Sequence, residues 1–156
     1  MRKILWLSLS LLIIGLDQLT KARVVHTLLP YQVIPITGWL NITLAYNSGA
    51  AFSFLTHAGA WHKMFFVWLS AIMSTVLFGW LLCLPRQERL FGLGLSCVLG
   101  GALANLIDRL HYGYVVDFID IYYKNHHWPA FNVADSAICL GALLLCCHRT
   151  TPCTGA

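Results

Sequence analysis

Asp117, in GYVVDFID, and Asp135, in FNVADS, are the residues whose type and position could do chemistry. Two carboxylates sharing a site cannot both ionise easily, so one keeps a proton while the other acts as a base. Such a pair can activate water against a peptide carbonyl without a metal or a nucleophilic side chain. No other hydrolytic set is legible, since the chain has no GxSxG elbow, no zinc motif and no cysteine in a polar, activating setting. Taken singly, each aspartate also suits a structural role. Asp135 lies where a first-turn helix acid would sit, with Asn132 three residues before it in capping-box spacing, and Asp117 could be a surface acid or an ion-pair partner.

The elements that must position these groups lie in a membrane. Hydrophobic residues make up 58% of the 156 and charged residues only 10%, against about 25% charged in an ordinary soluble domain. Mean hydropathy is +0.70. The formal charge of +4 is scattered rather than clustered, which excludes a nucleic-acid patch. The six cysteines (Cys83, Cys97, Cys139, Cys146, Cys147 and Cys153) fall in or just past apolar stretches with no CxxC pair. They read as small core or lipid-facing residues. The seven histidines lack ligand spacing, so neither a metal nor a cofactor is expected.

Four spans are expected, at about 4–25, 64–84, 90–107 and 131–147, in one integral membrane domain covering residues 1–156. The first begins with Arg2-Lys3 and a 13-residue apolar run, as a secretory signal does, but no small-residue cleavage site follows, so it reads as an uncleaved span. The second and third are long enough to cross about 30 Å of hydrocarbon. With four spans, Asp17, Lys21, Asn47, Asn105, Asp108, Arg109, Asp117 and Asp135 collect on one side, and of the six acids only Glu88 falls on the other. Asp17 and Lys21 are spaced i,i+4 with the acid first, the favourable order on one helix face. Carboxylates this close to hydrocarbon are functional-site candidates by default.

Positive charge is equally divided between the two sides. Arg2, Lys3, Arg86, Arg89 and Arg149 lie with the termini, and Lys21, Arg23, Lys63, Arg109 and Lys124 lie opposite. Discounting Lys21 and Arg109, which neighbour acids, favours cytoplasmic termini. Between the first two spans, residues 40–46 alternate apolar and polar after a turn at Thr37 and Gly38, and 115–123 is also strand-like. A small sheet outside the membrane is therefore expected. Gly94, Cys97, Gly101 and Ala104 form a stripe of small residues for close helix packing. That packing would bring Asn105 and Arg109 against a neighbour, where with Asp108 they form either a donor-rich site cluster or an interhelical network. Asn47 could donate to a bound peptide or shape a turn.

Five blocks in order, DQLTK at 17–21, NSGAAF at 47–52, GGALANLIDR at 100–109, GYVVDFID at 113–120 and FNVADS at 131–136, resemble the lipoprotein signal peptidases, the signal peptidase II family. The resemblance runs from Asp17 to the end of the fourth span. It implies an all-α membrane bundle of four transmembrane helices with a small extracytoplasmic β-cradle and a mobile segment at the membrane surface. It also implies an aspartic endopeptidase of the bacterial inner membrane, with the active site near the outer face and both termini cytoplasmic. The enzyme would cut a prolipoprotein just before its diacylglyceryl-modified cysteine. Asp117 and Asp135 then correspond to the catalytic pair, and Asp17, Lys21, Asn47, Gly101, Asn105, Arg109, Asn132 and Ala134 to supporting or substrate-contacting positions. Partners would be the diacylglyceryl-prolipoprotein substrate and membrane lipids, with no cofactor, no metal and no nucleic acid, and the chain would act as a monomer. Ala104 departs from the pattern, standing where the family usually has glycine.

Two other classes read less well. A proton-coupled carrier relaying through Asp17, Asp108 and Asp135 would show paired, broken helices near the midplane. A quinone- or haem-binding subunit would carry histidines deep in its spans, whereas all seven lie in loops or at ends.

Overall fold

The computed structural model describes residues 2–49, 60–85 and 87–147. Among these residues four helices and four short strands follow in the order α1 (Arg2–Thr27), β1 (Val33–Pro35), β2 (Leu40–Asn47), α2 (Ala60–Cys83), α3 (Arg89–His111), β3 (Val115–Tyr123), β4 (His126–His127) and α4 (Val133–Cys147). The Ala50, Ala51 and Phe52 end of NSGAAF lies outside the described residues, as do Arg86, Arg149 and Cys153.

Three helices among the described residues, α1, α2 and α3, are long and apolar enough to cross a membrane. The fourth is apolar but has 15 residues, ~22 Å at the usual rise. It starts at Val133 rather than Phe131, because Phe131 is spent on a β-bridge with Ile119 and Asn132 serves as the cap. Conversely, α3 runs a turn past the expected limit, which keeps Asp108 and Arg109 helical. The outward faces are apolar, with Leu11, Leu19, Trp68 and Leu143 among the large exposed side chains. Surface of that kind suits lipid rather than water.

The helices close on each other where side chains are smallest. A Cβ on Gly101 would overlap the carbonyl oxygen of Ala134 on α4. A Cβ on Gly94 would lie 3.0 Å from the Gly141 carbonyl, and one on Gly141 would lie 2.6 Å from the Gly94 carbonyl. The small stripe therefore brings α3 and α4 to backbone contact, as the i, i+3, i+7 spacing led one to expect. Leu77, Leu81 and Leu84 of α2 and its exit pack on Leu95 and Leu99 of α3 lower in the bundle.

At the polar end the strands form one antiparallel sheet in the order β1-β2-β3-β4. The expected turn at Thr37 and Gly38 joins β1 to β2, with the Thr37 N–H donating to the Leu40 carbonyl at 3.1 Å. Ala45 pairs with Asp117 and Asn47 with Val115, after an irregularity between Ile42 and Ala45. Val116 and Phe118 turn to the other face and pack on Val24 and Leu28 of α1's end and on Leu44. This alternation seats the sheet on α1 and leaves Asp117 facing α3 and α4.

Gly101→Leu is expected to destabilise the bundle by at least about 1–3 kcal/mol, the cost of overpacking a close-packed contact. Thermal unfolding in detergent reads this, and a Tm equal to that of the parent would show that α3 and α4 are not held so closely.

Candidate active site

The centre of the polar end is one ammonium held by two carboxylates. Lys21 Nζ lies 2.7 Å from Asp17 Oδ2, one turn earlier on α1, and 2.7 Å from Asp108 Oδ2 on α3. All three side chains are nearly or wholly inaccessible. Lys21 also donates to Asn105 Oδ1 at 3.0 Å. Each carboxylate then grips a further element. Asp17 Oδ1 accepts the Ala134 backbone N–H at 2.8 Å, which ties α1 to the first turn of α4. Asp108 accepts the Val116 N–H at 3.1 Å and Gln18 Nε2 at 2.7 Å, tying β3 and α1 to α3. A helix start favours a carboxylate because its first N–H groups have no partner within the helix.

Asn105 and Asn132 carry this order outward to the two candidate aspartates. Asn132 Nδ2 donates to Asp117 Oδ1 at 2.6 Å, and its backbone N–H donates to Asp135 Oδ2 at 3.3 Å. The Asp135 N–H returns a bond to Asn132 Oδ1 at 2.9 Å, completing the expected capping box. Asn105 Nδ2 donates to Asp135 Oδ1 at 2.8 Å. Asn47 Nδ2, diagonal to Asp117 across the sheet, donates to its Oδ2 at 3.0 Å. Each oxygen of both aspartates therefore accepts an N–H. Asp117 is buried while Asp135 is half-buried and Asn47 exposed, so the pair lies at the bottom of an accessible mouth.

Asp117 is held far above the ordinary carboxylate range, at about 7. Burial is the main cause, and repulsion from Asp135 adds to it. The bonds from Asn47 and Asn132 and the charge of Lys21 offset part of the rise. A carboxyl in this state can keep a proton near neutral pH. Arg109 stands at the edge, half-buried, donating to the Asn105 carbonyl at 3.2 Å and approaching Ser70 Oγ at 3.5 Å and the Phe66 ring at 5.9 Å. Its charge acts on Asp135, Asp108 and Asp117.

Both the sequence and the fold match known proteins. Residues 9–151 match the family model described as Signal peptidase (SPase) II. This chain belongs to the signal peptidase II family. Curated relatives include the lipoprotein signal peptidase of Teredinibacter turnerae, 52% identical over 140 residues that cover 90% of this chain and 83% of that protein. That of Cupriavidus necator is 49% identical over 142 residues, covering 91% and 81%. A bacterial membrane enzyme solved by the in meso method at 1.9 Å superposes with a TM-score of 0.80 at 29% identity, covering 93% of this chain and 90% of that one.

Of the residues expected from the family's motifs, Asp17, Lys21, Asn47, Asn105, Asn132, Asp117 and Asp135 form one hydrogen-bonded set. Arg109 joins through the Asn105 carbonyl. Gly101 and Ala134 contribute by close approach and by a backbone N–H. Ala104, the departure from the family pattern, is fully buried, and its carbonyl accepts Gln18 Nε2 at 3.3 Å. Both amide ends of Asn105 stay engaged, so the extra methyl leaves the donors in place.

Gln18 itself was not singled out from the sequence. It follows Asp17 directly, and one step round a helix ordinarily points away from its neighbour's partners. Its length lets it reach Asp108 from the adjoining face. Asp120, grouped with the other acids, belongs elsewhere: it accepts from Asn41 Nδ2 at 2.8 Å and pairs with His127 Nδ1 at 2.8 Å at the far end of the sheet. Burial would push it up, but these two partners hold it below the usual carboxylate range.

Removing Lys21 leaves two buried carboxylates without a counter-charge. Lys21→Met is expected to cost about 3–5 kcal/mol, as breaking a buried ion pair does. Adding Asp17→Asn and Asp108→Asn in the same chain should return part of that loss, which chemical denaturation of the single and triple variants would measure.

Proposed function

We propose that this chain is a membrane aspartic endopeptidase that removes signal peptides from diacylglyceryl-modified prolipoproteins, cutting just before the lipidated cysteine, with Asp117 and Asp135 as its catalytic pair. The observation that carries the assignment is the grip of Asn132, whose side chain holds Asp117 while its backbone holds Asp135. Membership of the signal peptidase II family supports the reaction and the substrate class.

In the resting pair Asp117 keeps the proton, since burial and the neighbouring carboxylate favour its neutral form. Asp135, on the first turn of α4 and bonded at both oxygens to N–H groups, acts as the base. It takes a proton from water as the water oxygen attacks the scissile carbonyl. Asp117 donates its proton toward the carbonyl oxygen, polarising it, and the proton taken by Asp135 passes to the leaving amine as the C–N bond breaks. Asn105 and Asn132 set the separation of the two acids, and Arg109 and Asn47 at the mouth orient the peptide. Asp17 and Lys21 act through the frame they hold.

The whole chain works as one domain and as a monomer, with four helices crossing the inner membrane. The 15-residue α4 spans by starting below the surface, beneath the sheet. The polar end faces outward and the termini lie in the cytoplasm. A site at that depth reaches a cleavage bond beside a lipid-bearing residue and disfavours a soluble peptide.

Cleavage of a diacylglyceryl-modified prolipoprotein in detergent by the parent, Asp117→Asn and Asp135→Asn tests the pair. Each variant, verified as folded, is expected to lose at least ~100-fold in kcat; near-parental activity in either removes that aspartate from the chemistry. The parent's kcat/KM should fall above pH about 7 with the loss of one proton, since deprotonation of Asp117 removes the acid. An activity flat from pH 6 to 9 would contradict that assignment.

A further inference from the structure

Below the mouth, α2 and α3 leave a groove of about 310 Å³, lined by Ala71, Ser74, Thr75, Phe78, Leu99 and Leu103, with Leu106 at its upper end. That is the lower end of the ~300–1,000 Å³ usual for ligand sites. The groove starts within one helical turn of the Ser70 and Arg109 pair and descends along α2 for ~10 Å at the usual rise. Thr75 and Phe78 are exposed at its rim, so it opens sideways toward lipid.

Its lining is apolar except for the two hydroxyls, and one of these is out of place. Ser74 is 4% exposed, and its Oγ has no hydrogen-bond partner among the described residues. Other hydroxyls along the same helices turn back to a carbonyl one turn earlier, as Thr75 does to Ala71 at 2.8 Å and Ser96 to Gly92 at 2.6 Å. A buried donor without a partner carries a desolvation cost that a bound acceptor removes. Hydrocarbon alone cannot supply that acceptor, whereas an acyl ester can.

We propose that this groove holds one acyl chain of the substrate's diacylglyceryl group, with Ser74 Oγ donating to its ester carbonyl. The inference rests on the prolipoprotein reading above and adds where the lipid lies. The glyceryl group sits beside the bond to be cut, and Ala71 and Leu106 at the groove's upper end lie within one helical turn of Ser70 and Arg109, so an ester at Ser74 would lie about one turn below the Arg109 edge of the site. Occupancy would fix the lipidated cysteine relative to Asp117 and Asp135.

The test compares the parent, Ser74→Ala and the groove-filling Leu103→Trp on three prolipoproteins, carrying long-chain diacyl, diacetyl or long-chain dialkyl ether groups on the glycerol. Leu103→Trp should raise KM about tenfold or more on the long-chain substrates and leave the diacetyl substrate unaffected. Ser74→Ala should raise KM about fivefold on the diacyl substrate, the loss of one hydrogen bond, and leave the ether substrate unchanged. Ser74→Ala removes no packing, so it keeps the test decisive even where the tryptophan variant does not fold. Unchanged KM values, or losses equal across all three substrates, overturn the proposal and leave the groove to bulk lipid. A folded parent that cuts none of the substrates overturns the prolipoprotein reading itself. A parent that cuts, with no chain dependence in the variants, overturns the groove alone.

Discussion

One ammonium in a place without water organises the polar end of this protein. Lys21 is buried against Asp17 and Asp108, and burying three charges is costly unless each is fully engaged. The engagement is what locates everything else. Asp17 has an oxygen left for the Ala134 N–H and Asp108 has oxygens left for Val116 and Gln18, so α1, α3, α4 and β3 meet at one point. The network gains little as a source of net stability, since an apolar filling could be as stable. Its effect is geometric: it admits few alternative registers for the four elements it joins, because each would strand a buried charge.

Outward from the triad, the connecting groups are neutral. Asn105 accepts from Lys21 and donates to Asp135, and Asn132 accepts from the Asp135 N–H while donating to Asp117. An amide carries both a donor and an acceptor with no net charge. It can therefore transmit position from a charged frame to a pair of acids without neutralising either. A lysine or arginine in direct contact would pull Asp117 down toward the ordinary carboxylate range. The elevated Asp117 and the nearby Lys21 coexist because amides stand between them.

Depth follows from the packing beneath. Gly94, Gly101 and Gly141 let α3 and α4 approach to backbone contact, so that the cap of α4 reaches the end of α3 and Asn105 reaches Asp135. Without that approach the two carboxylates would belong to separate surfaces. Between α2 and α3 the side chains are larger, and an open groove remains beside the site. The contrast between a tight α3–α4 seam and a looser α2–α3 one leaves the Asp117 and Asp135 network on one side of α3 and the open groove on the other.

Much of this was legible in the chain itself. Hydropathy located the helices, period-two alternation located β2 and β3, and the i,i+4 order of Asp17 and Lys21 foretold their ion pair, because each is a local property of spacing. The five motif blocks, read in order, pointed to the family that the relatives bear out. The tertiary structure alone decided that Asp17 serves α4 rather than only its own helix, that Gln18 reaches Asp108, and that Asp120 leaves the central set to pair with His127. It also decided where α4 begins, since Phe131 is drawn into the sheet and Asn132 becomes the cap. Spacing fixes which face of one helix or strand a residue occupies. Which face meets which is settled only when several elements satisfy their buried polar groups together.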